Sequence, residues 1–454
     1  MGYLPRERMD AAMNRALRAR RFHNWAGTVS TRPTCVHYPA TIAEVSRIVR
    51  ELPAGSSIRP VGAGHSFTPV AAGSQAMMSL DKLTGIVAVD RERKRARFLA
   101  GTRLVDASRL LAPFGLALAN LGDINVQSLA GAISTSTHGT GIGFTGLAGT
   151  VTGLTLIDAD GASRDYSSDD DPAALQLVAV SLGALGIIVE VEVRCVDAFD
   201  LIAQEGAESL DAVLSDWEEC SRAADHFEAF WFPHTDRAMV KRNTRLAPGA
   251  PAPEGDPQER GWLRRTVEQE IIGNAAFAGS LALTRAVPAL IPQINALSAG
   301  AMGAAPYRGA SHEVFSAPRR VKFFEMEYSL PLEAGPSAVR ELRAEMDRRG
   351  WRIPFPLELR STAADDVALS TSTGRESMYI AVHLPTSMDP EEYFPRCEEI
   401  LRAAGGRPHW GKMHTLGRED LSSLYPRFDE FCALREALDP HRRFGSEHLQ
   451  RLFG

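Results

Sequence analysis

The apolar positions of this chain follow two rhythms that change places along its length. In PATIAEVSRIVREL (39–52), Ile42, Val45, Ile48, Val49 and Leu52 recur every three or four positions, the spacing of one helical face. Thr41 and Glu44 form a Thr-x-x-Glu start signal, whose side chains can satisfy N–H groups left open at a helix start. SSIRPVG then predicts a short strand running into a glycine turn. MMSLDKLTGIVAVD (77–90) reads as strand, turn, strand, and RERKRA (91–96) as a solvated hairpin tip. RFLAGTRLVDASRLLAPFGLAL adds a strand and a helix. GTVTGLTLIDADGASRDY reads as a hairpin turning at Ala159-Asp160-Gly161. SLGALGIIVEVEVRCV (181–196) predicts a turn feeding a β-branched strand.

Beyond about residue 200 the character changes. The helical segment ESLDAVLSDWEECSRAADH alternates with strands FEAFWFP, VKFFEMEYSLP and SMYIAVHLP. A Pro- and Gly-rich excursion spans 245–261, and the tail reads as helix, Asp-Pro stop and short final helix. Strands first, then helices between widely spaced strands, predict an α+β chain of two domains.

One stretch fits neither rhythm. LGDINVQSLAGAISTSTHGTGIGFTGL (121–147) is almost all small residues. It predicts neither a helix nor a packed strand, but main chain lying close against something. RPVGAGHSFTPV (59–70) and SLGALGI (181–187) are similar. Three such loops in one half of the chain point to an elongated ligand. A dinucleotide fingerprint needs G-x-G-x-x-G before a helix, and VGAGHS has His65 and Ser66 in the way, with no helix following. A phosphate loop needs Gly-Lys-Ser/Thr, which is missing after these strands. The ligand is a dinucleotide or flavin held in another way.

Composition adds exclusions. The 454 residues carry a net charge of −6 without a basic patch, which argues against nucleic acid as a partner. Cys35, Cys195, Cys220, Cys397 and Cys432 are scattered, with no CxxC. They predict neither a disulfide framework nor a thiolate metal site, and favour a reducing, cytoplasmic location. Residues 1–25 carry charges throughout, unlike a secretory signal. The apolar stretch 271–284 is too short to span a bilayer and reads as a buried or hinge helix.

In FPLELRST (355–362), Glu358 and Arg360 share one face of a strand. Phe355, Pro356, Leu357 and Leu359 surround them, so solvation explains the charges poorly. An exposed cross-strand ion pair is the alternative. RPHWGKMHT (407–415) offers His409 and Lys412, and YIAVHLP offers His383.

VGAGHS, SLAGAISTSTHGTG, LGALGI and HWGKMH together resemble the vanillyl-alcohol-oxidase-type (PCMH-type) flavoproteins, and within them the aldonolactone oxidase and alditol oxidase group. FHNWAGTVSTRPTCVHYPATIAEVSRIVREL, FEMEYSLP and DPHRRFGSEHL fit the same pattern, so the resemblance covers nearly the whole chain. It implies an FAD-binding domain over 1–198. A substrate or cap domain of antiparallel sheet with flanking helices follows over 199–412, and a segment returning to the FAD domain over 413–454.

The resemblance further implies FAD joined through its 8α carbon to His65. Some members of the group have an arginine two places earlier, where this chain has Ala63. Gly62, Ala63, Gly64, His65 and Ser66 would form the first cradle. Ser128, Ser134, Ser136, Thr137, His138, Gly139, Thr140, Gly141, Ile142 and Gly143 would form the second. Gly183, Gly186, Ile187 and Ile188 would form the third, with His409 beside the flavin. For His138 two readings stand: it meets the cofactor, or it locks its own loop. Glu358, Arg360 and Lys412 would be catalytic, and Ser128 and His383 would help to bind substrate.

Flavin oxidation of an alcohol needs an acceptor for the hydroxyl proton and a cation near the flavin's pyrimidine end. The implied reaction takes a hydride from a sugar-derived alcohol to flavin N5, with dioxygen becoming hydrogen peroxide. An aldono-1,4-lactone of the L-gulono or D-arabinono type is the implied substrate. Rival readings are an alditol such as xylitol, a quinone or cytochrome as acceptor, and a flavin-binding protein without turnover.

Overall fold

The computed structural model describes residues 21–247, 250, 274–301 and 305–454. The expectations for residues 1–20, for most of the 245–261 excursion and for residues 271–273 lie outside the described residues.

The predicted helix forms over Ile42–Glu51 and buries Val45 and Val49. Thr41 Oγ1 accepts the Glu44 N–H, while the Glu44 carboxylate takes the Ala40 N–H at 2.7 Å. The reciprocal bond therefore closes one residue earlier than the sequence signal implied. The two strands read in 77–90 part company. Ala76–Ser79 lies at the centre of a parallel three-stranded sheet, between Cys35–His37 and Ile58–Val61. Ile86–Asp90 instead edges an antiparallel sheet, followed by Arg95–Leu99, Ile187–Asp197, Val151–Ile157 and Ser163–Ser167. Leu116–Leu118 pairs with the far end of Ile187–Asp197. The 159–161 turn forms as read, with Gly161 at φ +73°.

A second, antiparallel sheet of eight strands is built from the later part of the chain. Its order is Tyr307–Ala310, Asp200–Ser209, Arg237–Leu246, His226–Trp231, Leu357–Thr362, Ser377–Pro385, Phe323–Pro331 and Arg407–Pro408. Ser377–Pro385 is buried on both faces, which its run of apolar residues allows. This order sets Glu228 opposite Arg360 and Glu325 opposite His383. The helical stretch after residue 208 breaks at Asp216 into Leu210–Ser215 and Trp217–Ala223.

Two expectations need correction. The small-residue stretch 121–147 does contain a helix, Leu129–Ser134, which buries Leu129, Ala132 and Ile133. Three apolar residues at positions one, four and five suffice for a short helix when the core already lies beneath it. The stretch 271–284 contributes the helix Phe277–Ala286, and this is not buried: Leu283 is 48% exposed and only Thr284 is buried. Its apolar residues are spread around the axis and give no single face to cover. Among the described residues no helix is long and apolar enough to cross a membrane. The five cysteines are unpaired.

Arg59 ties distant segments together. Its buried guanidinium donates to the carbonyls of Val70, Leu182, Gly183 and Phe444. Beside it, the Ile58 N–H donates to Arg443 O at 2.8 Å.

Candidate cofactor cleft and active site

Two of the three glycine loops, with the start of the third, converge on one cleft. It is lined by Gly62, Ala63, Gly64, His65 and Ser66, by Ser128, Gly131 and Ser134, and by Gly183, Gly186 and Ile188. Close approach of main chain explains the glycines. A Cβ on Gly62 would collide with Ser128 Oγ, and one on Gly183 would come within 2.8 Å of Pro60. Gly64 and Gly183 also sit at φ +70° and +63°, where a side chain is strained.

His65 Nδ1 is buried and has no hydrogen-bond partner. Burial, then the charges of Lys412 and Arg103, push the imidazole down to about 4. A neutral ring with an unpartnered nitrogen at the cleft wall suits a group that the protein alone does not supply. Backbone N–H groups, hydroxyls and this ring form a donor set that fits FAD.

The first two loops are hydrogen-bonded to segments carrying the predicted chemistry. The Phe67 N–H donates to Gly411 O at 2.7 Å and Thr68 Oγ1 to Trp410 O at 3.1 Å, joining the first loop to Lys412. The Gly141 N–H donates to Ser361 O at 2.8 Å, and the Ala363 N–H to Phe144 O at 2.9 Å, joining the second loop to the Glu358–Arg360 strand.

Arg360 is buried, Glu358 is mostly so, and the two are paired with each other. Burial raises Glu358, and Asp123 and Glu228 add to this; Arg360 and Arg319 oppose it, and the balance leaves it at about 7. Arg360 also holds Glu228 through Nε at 3.0 Å and Asp123 through Nη2 at 2.6 Å. The exposed-pair reading therefore fails, because the sheet order stacks further carboxylates around this guanidinium. Lys412 pairs with Glu325 and lies 5.3 Å over the Phe67 ring. Burial works against its charge, but Glu325 and Glu327 hold it above its ordinary value. Phe67, Phe323, Phe355 and Ala26 form an apolar cluster on this side.

His383 packs edge-on to Phe323, with Nδ1 3.0 Å from Pro356 O and Nε2 3.5 Å from Glu325. His138 lies 3.6 Å from the Tyr379 ring, with Nδ1 2.9 Å from Gly139 O and Nε2 3.2 Å from Glu327. Both nitrogens meet the protein's own oxygens, which favours its loop-locking reading.

Beyond Thr135 the second loop does not line the cleft. After Leu129–Ser134, Ser136 turns left-handed at φ 60° and directs the chain toward the eight-stranded sheet. Ser136 meets Thr371, Thr137 accepts from Gln127, and Thr140 donates to Phe227 O. Ile142 is buried in the core, Gly143 has open space around it, and Gly139 and Gly141 pack against neighbouring main chain. Ile187 points into the core, while Ile188 reaches the cleft.

His409 is buried, and burial holds it down to about 3. Its Nδ1 accepts the Gly411 N–H at 3.0 Å, so the ring proton sits on Nε2. His138, Glu327 and His409 lie close enough to suggest a metal site. A ligating imidazole donates from its other nitrogen, the reverse of what His409 does.

Sequence reasoning missed Asp123, Glu228, Glu325 and Glu327. The signal for the last two was present: FEMEY places two carboxylates on one face of an apolar strand, the same pattern that singled out Glu358 and Arg360.

The FAD-binding-domain profile matches residues 33–166. Cholesterol oxidase from B. sterolicum has the same fold, with a TM-score of 0.80 at 17% identity, covering 96% of this chain and 97% of that one. Cleft, fold and profile define an FAD-dependent oxidoreductase with the two-domain architecture of the vanillyl-alcohol-oxidase type. The D-arabinono-1,4-lactone oxidase family profile matches residues 191–452, and the chain belongs to that family. It is 35% identical to the L-gulono-1,4-lactone dehydrogenase of Mycobacterium tuberculosis, over 95% of this chain and 98% of that protein. It is 30% identical to the L-gulonolactone oxidase of Mus musculus, with the same coverage of both chains.

Proposed function

We propose that the chain oxidises an alcohol carbon of an aldono-1,4-lactone of the L-gulono or D-arabinono type. The carrying observation is the Glu358–Arg360 pair on a strand bonded to one glycine loop, with the segment just before Lys412 bonded to another. The names of the relatives supply the lactone class. On this reading residues 1–198 hold FAD, 199–412 cover the substrate and 413–454 close the FAD side.

FAD, when bound, supplies the hydride acceptor and passes the electrons to a second acceptor. The residues of the cleft would hold it, and the unpartnered Nδ1 of His65 supports a bond to it there. Glu358 takes the hydroxyl proton on a carboxylate oxygen, a task suited to a group poised near neutrality. Arg360 orients that carboxylate. Lys412, kept charged by Glu325, is a poor base and instead favours the negative charge that grows as the hydride leaves. Ser128 and His383 border the substrate. Five unpaired cysteines suit a reducing compartment.

Anaerobic stopped-flow mixing with L-gulono-1,4-lactone, D-arabinono-1,4-lactone and xylitol tests the reading. Rapid bleaching of the flavin by a lactone is expected; bleaching by xylitol alone, or by none of the three, overturns it. One relative is named a dehydrogenase and others oxidases, so the acceptor is open between dioxygen and a quinone or cytochrome. Reoxidation in air within the turnover time identifies an oxidase.

A further inference from the structure

Asp123 belongs to the second small-residue loop, five positions before Ser128 of the cleft wall. Its carboxylate leaves that loop and inserts between two arginines of the other sheet region. One oxygen takes Arg360 Nη2 at 2.6 Å, and the other takes Arg319. Two further bonds fix the same contact: Ala317 N–H donates to Asp123 O at 3.0 Å, and the Ser316 hydroxyl to Gly122 O at 3.2 Å. Arg360 is also held through Nε by Glu228, itself 3.4 Å from Lys241. The result is a cross-strand chain of alternating charge, Lys241–Glu228–Arg360–Asp123–Arg319, with Glu358 hanging from its central guanidinium. Carboxylate oxygens of Asp123, Glu228 and Glu358 lie within 4.8 Å of one another.

We propose that Asp123 is a positioning residue: it locks Arg360 against the cofactor loop and sets the charge that Glu358 experiences, so that the cleft and the catalytic pair move as one body. The proposal rests on the reading that Glu358 serves as the base. The groups facing Glu358 are Arg360 on its own strand, Asp123 on the loop, Glu228 with Lys241 on the neighbouring strands, Arg319 on the 316–322 segment, and Lys412 beyond them. Burial opposes ionisation of Asp123, but Arg360, Arg319 and Lys241 hold it below the usual carboxylate range. It therefore presents a full negative charge to Glu358.

The test is the pH dependence of flavin reduction by L-gulono-1,4-lactone in the flavin-loaded enzyme. Asp123→Asn removes a repelling charge and frees Arg360 for Glu358. The limb belonging to Glu358 then moves to lower pH by about one unit, and reduction slows by up to about a hundredfold through misplacement of Arg360. Asp123→Glu restores much of both. Arg319→Gln changes a partly exposed side chain and removes an attracting charge, so it moves the same limb to higher pH. It provides the test should Asp123→Asn not fold. A merely structural Asp123 would lower flavin content or stability and leave the limb in place. A limb lost in Glu358→Gln but unmoved in both Asp123→Asn and Arg319→Gln overturns the role of Asp123 alone. A limb that persists in Glu358→Gln overturns the assignment of the base, and this proposal with it.

Discussion

Trp25 lies over His65, with ring centroids 5.4 Å apart and planes inclined by 19°. The indole covers the imidazole and contributes to the burial that holds it at about 4. His65 is then neutral at every pH above about 5, and flavin attachment should be flat from pH 5 to 8. Trp25→Ala admits water and raises the ring toward its ordinary value, so attachment should slow below pH 7. His65→Ala should release all its flavin on acid precipitation, while the wild-type pellet stays yellow. Acid-precipitable flavin after reconstitution measures each outcome.

Glu358→Gln should keep its FAD and lose flavin reduction by about a hundredfold or more, the scale of a missing general base. In the wild type the carboxylate must lose its proton to act. With Glu358 at about 7, the rate should climb between pH 6 and 8. A variant that reduces its flavin at the wild-type rate removes Glu358 from the mechanism.

Lys412, partly buried, pairs with the buried carboxylate of Glu325. Lys412→Met strands the carboxylate and should cost about 3 kcal/mol of stability. Adding Glu325→Gln should recover most of that loss, because no lone buried charge remains. The double variant should still reduce its flavin slowly. Denaturant melts and stopped-flow rates on wild type, Lys412→Met, Glu325→Gln and the double variant separate the structural from the chemical contribution.

Gly62→Ala should lower flavin content, because the new methyl collides with Ser128 Oγ. Ser128→Ala in the same chain leaves only a contact of 3.4 Å to Ser128 Cβ and should restore loading. The ratio of flavin to protein absorbance in the purified variants reports this.

His414 is buried with neither ring nitrogen partnered, and burial followed by the charge of Arg451 holds it at about 3. The unfolded chain binds a proton near pH 6.5 that the folded chain refuses until about pH 3. Stability therefore rises with pH across that window and falls on acidification. His414→Leu removes this contribution. Its stability relative to wild type should improve by about 1 kcal/mol between pH 7.5 and pH 5.5, read from thermal melts at the two pH values.

What the sequence made legible follows local rules. The Thr41 cap, the Gly161 turn and the shared face of Glu358 and Arg360 depend on neighbours a few positions away. Asp123 and Glu228 meet Arg360 only because strand His226–Trp231 lies beside Leu357–Thr362 and the 121–127 loop reaches the second of these. Pairing between strands 132 residues apart leaves no periodic trace. The small helix at Leu129–Ser134 escaped notice for another reason: glycine and alanine weaken the pattern that three buried residues would otherwise show.

Arg59 carries one more consequence. The carbonyls it gathers stand 11, 123, 124 and 385 positions away along the chain. During synthesis the first three are available early and the fourth only once residue 444 has emerged. The mould that receives FAD is thus completed only after the segment carrying Phe444 has been made. Nascent chains lacking that last acceptor should remain colourless.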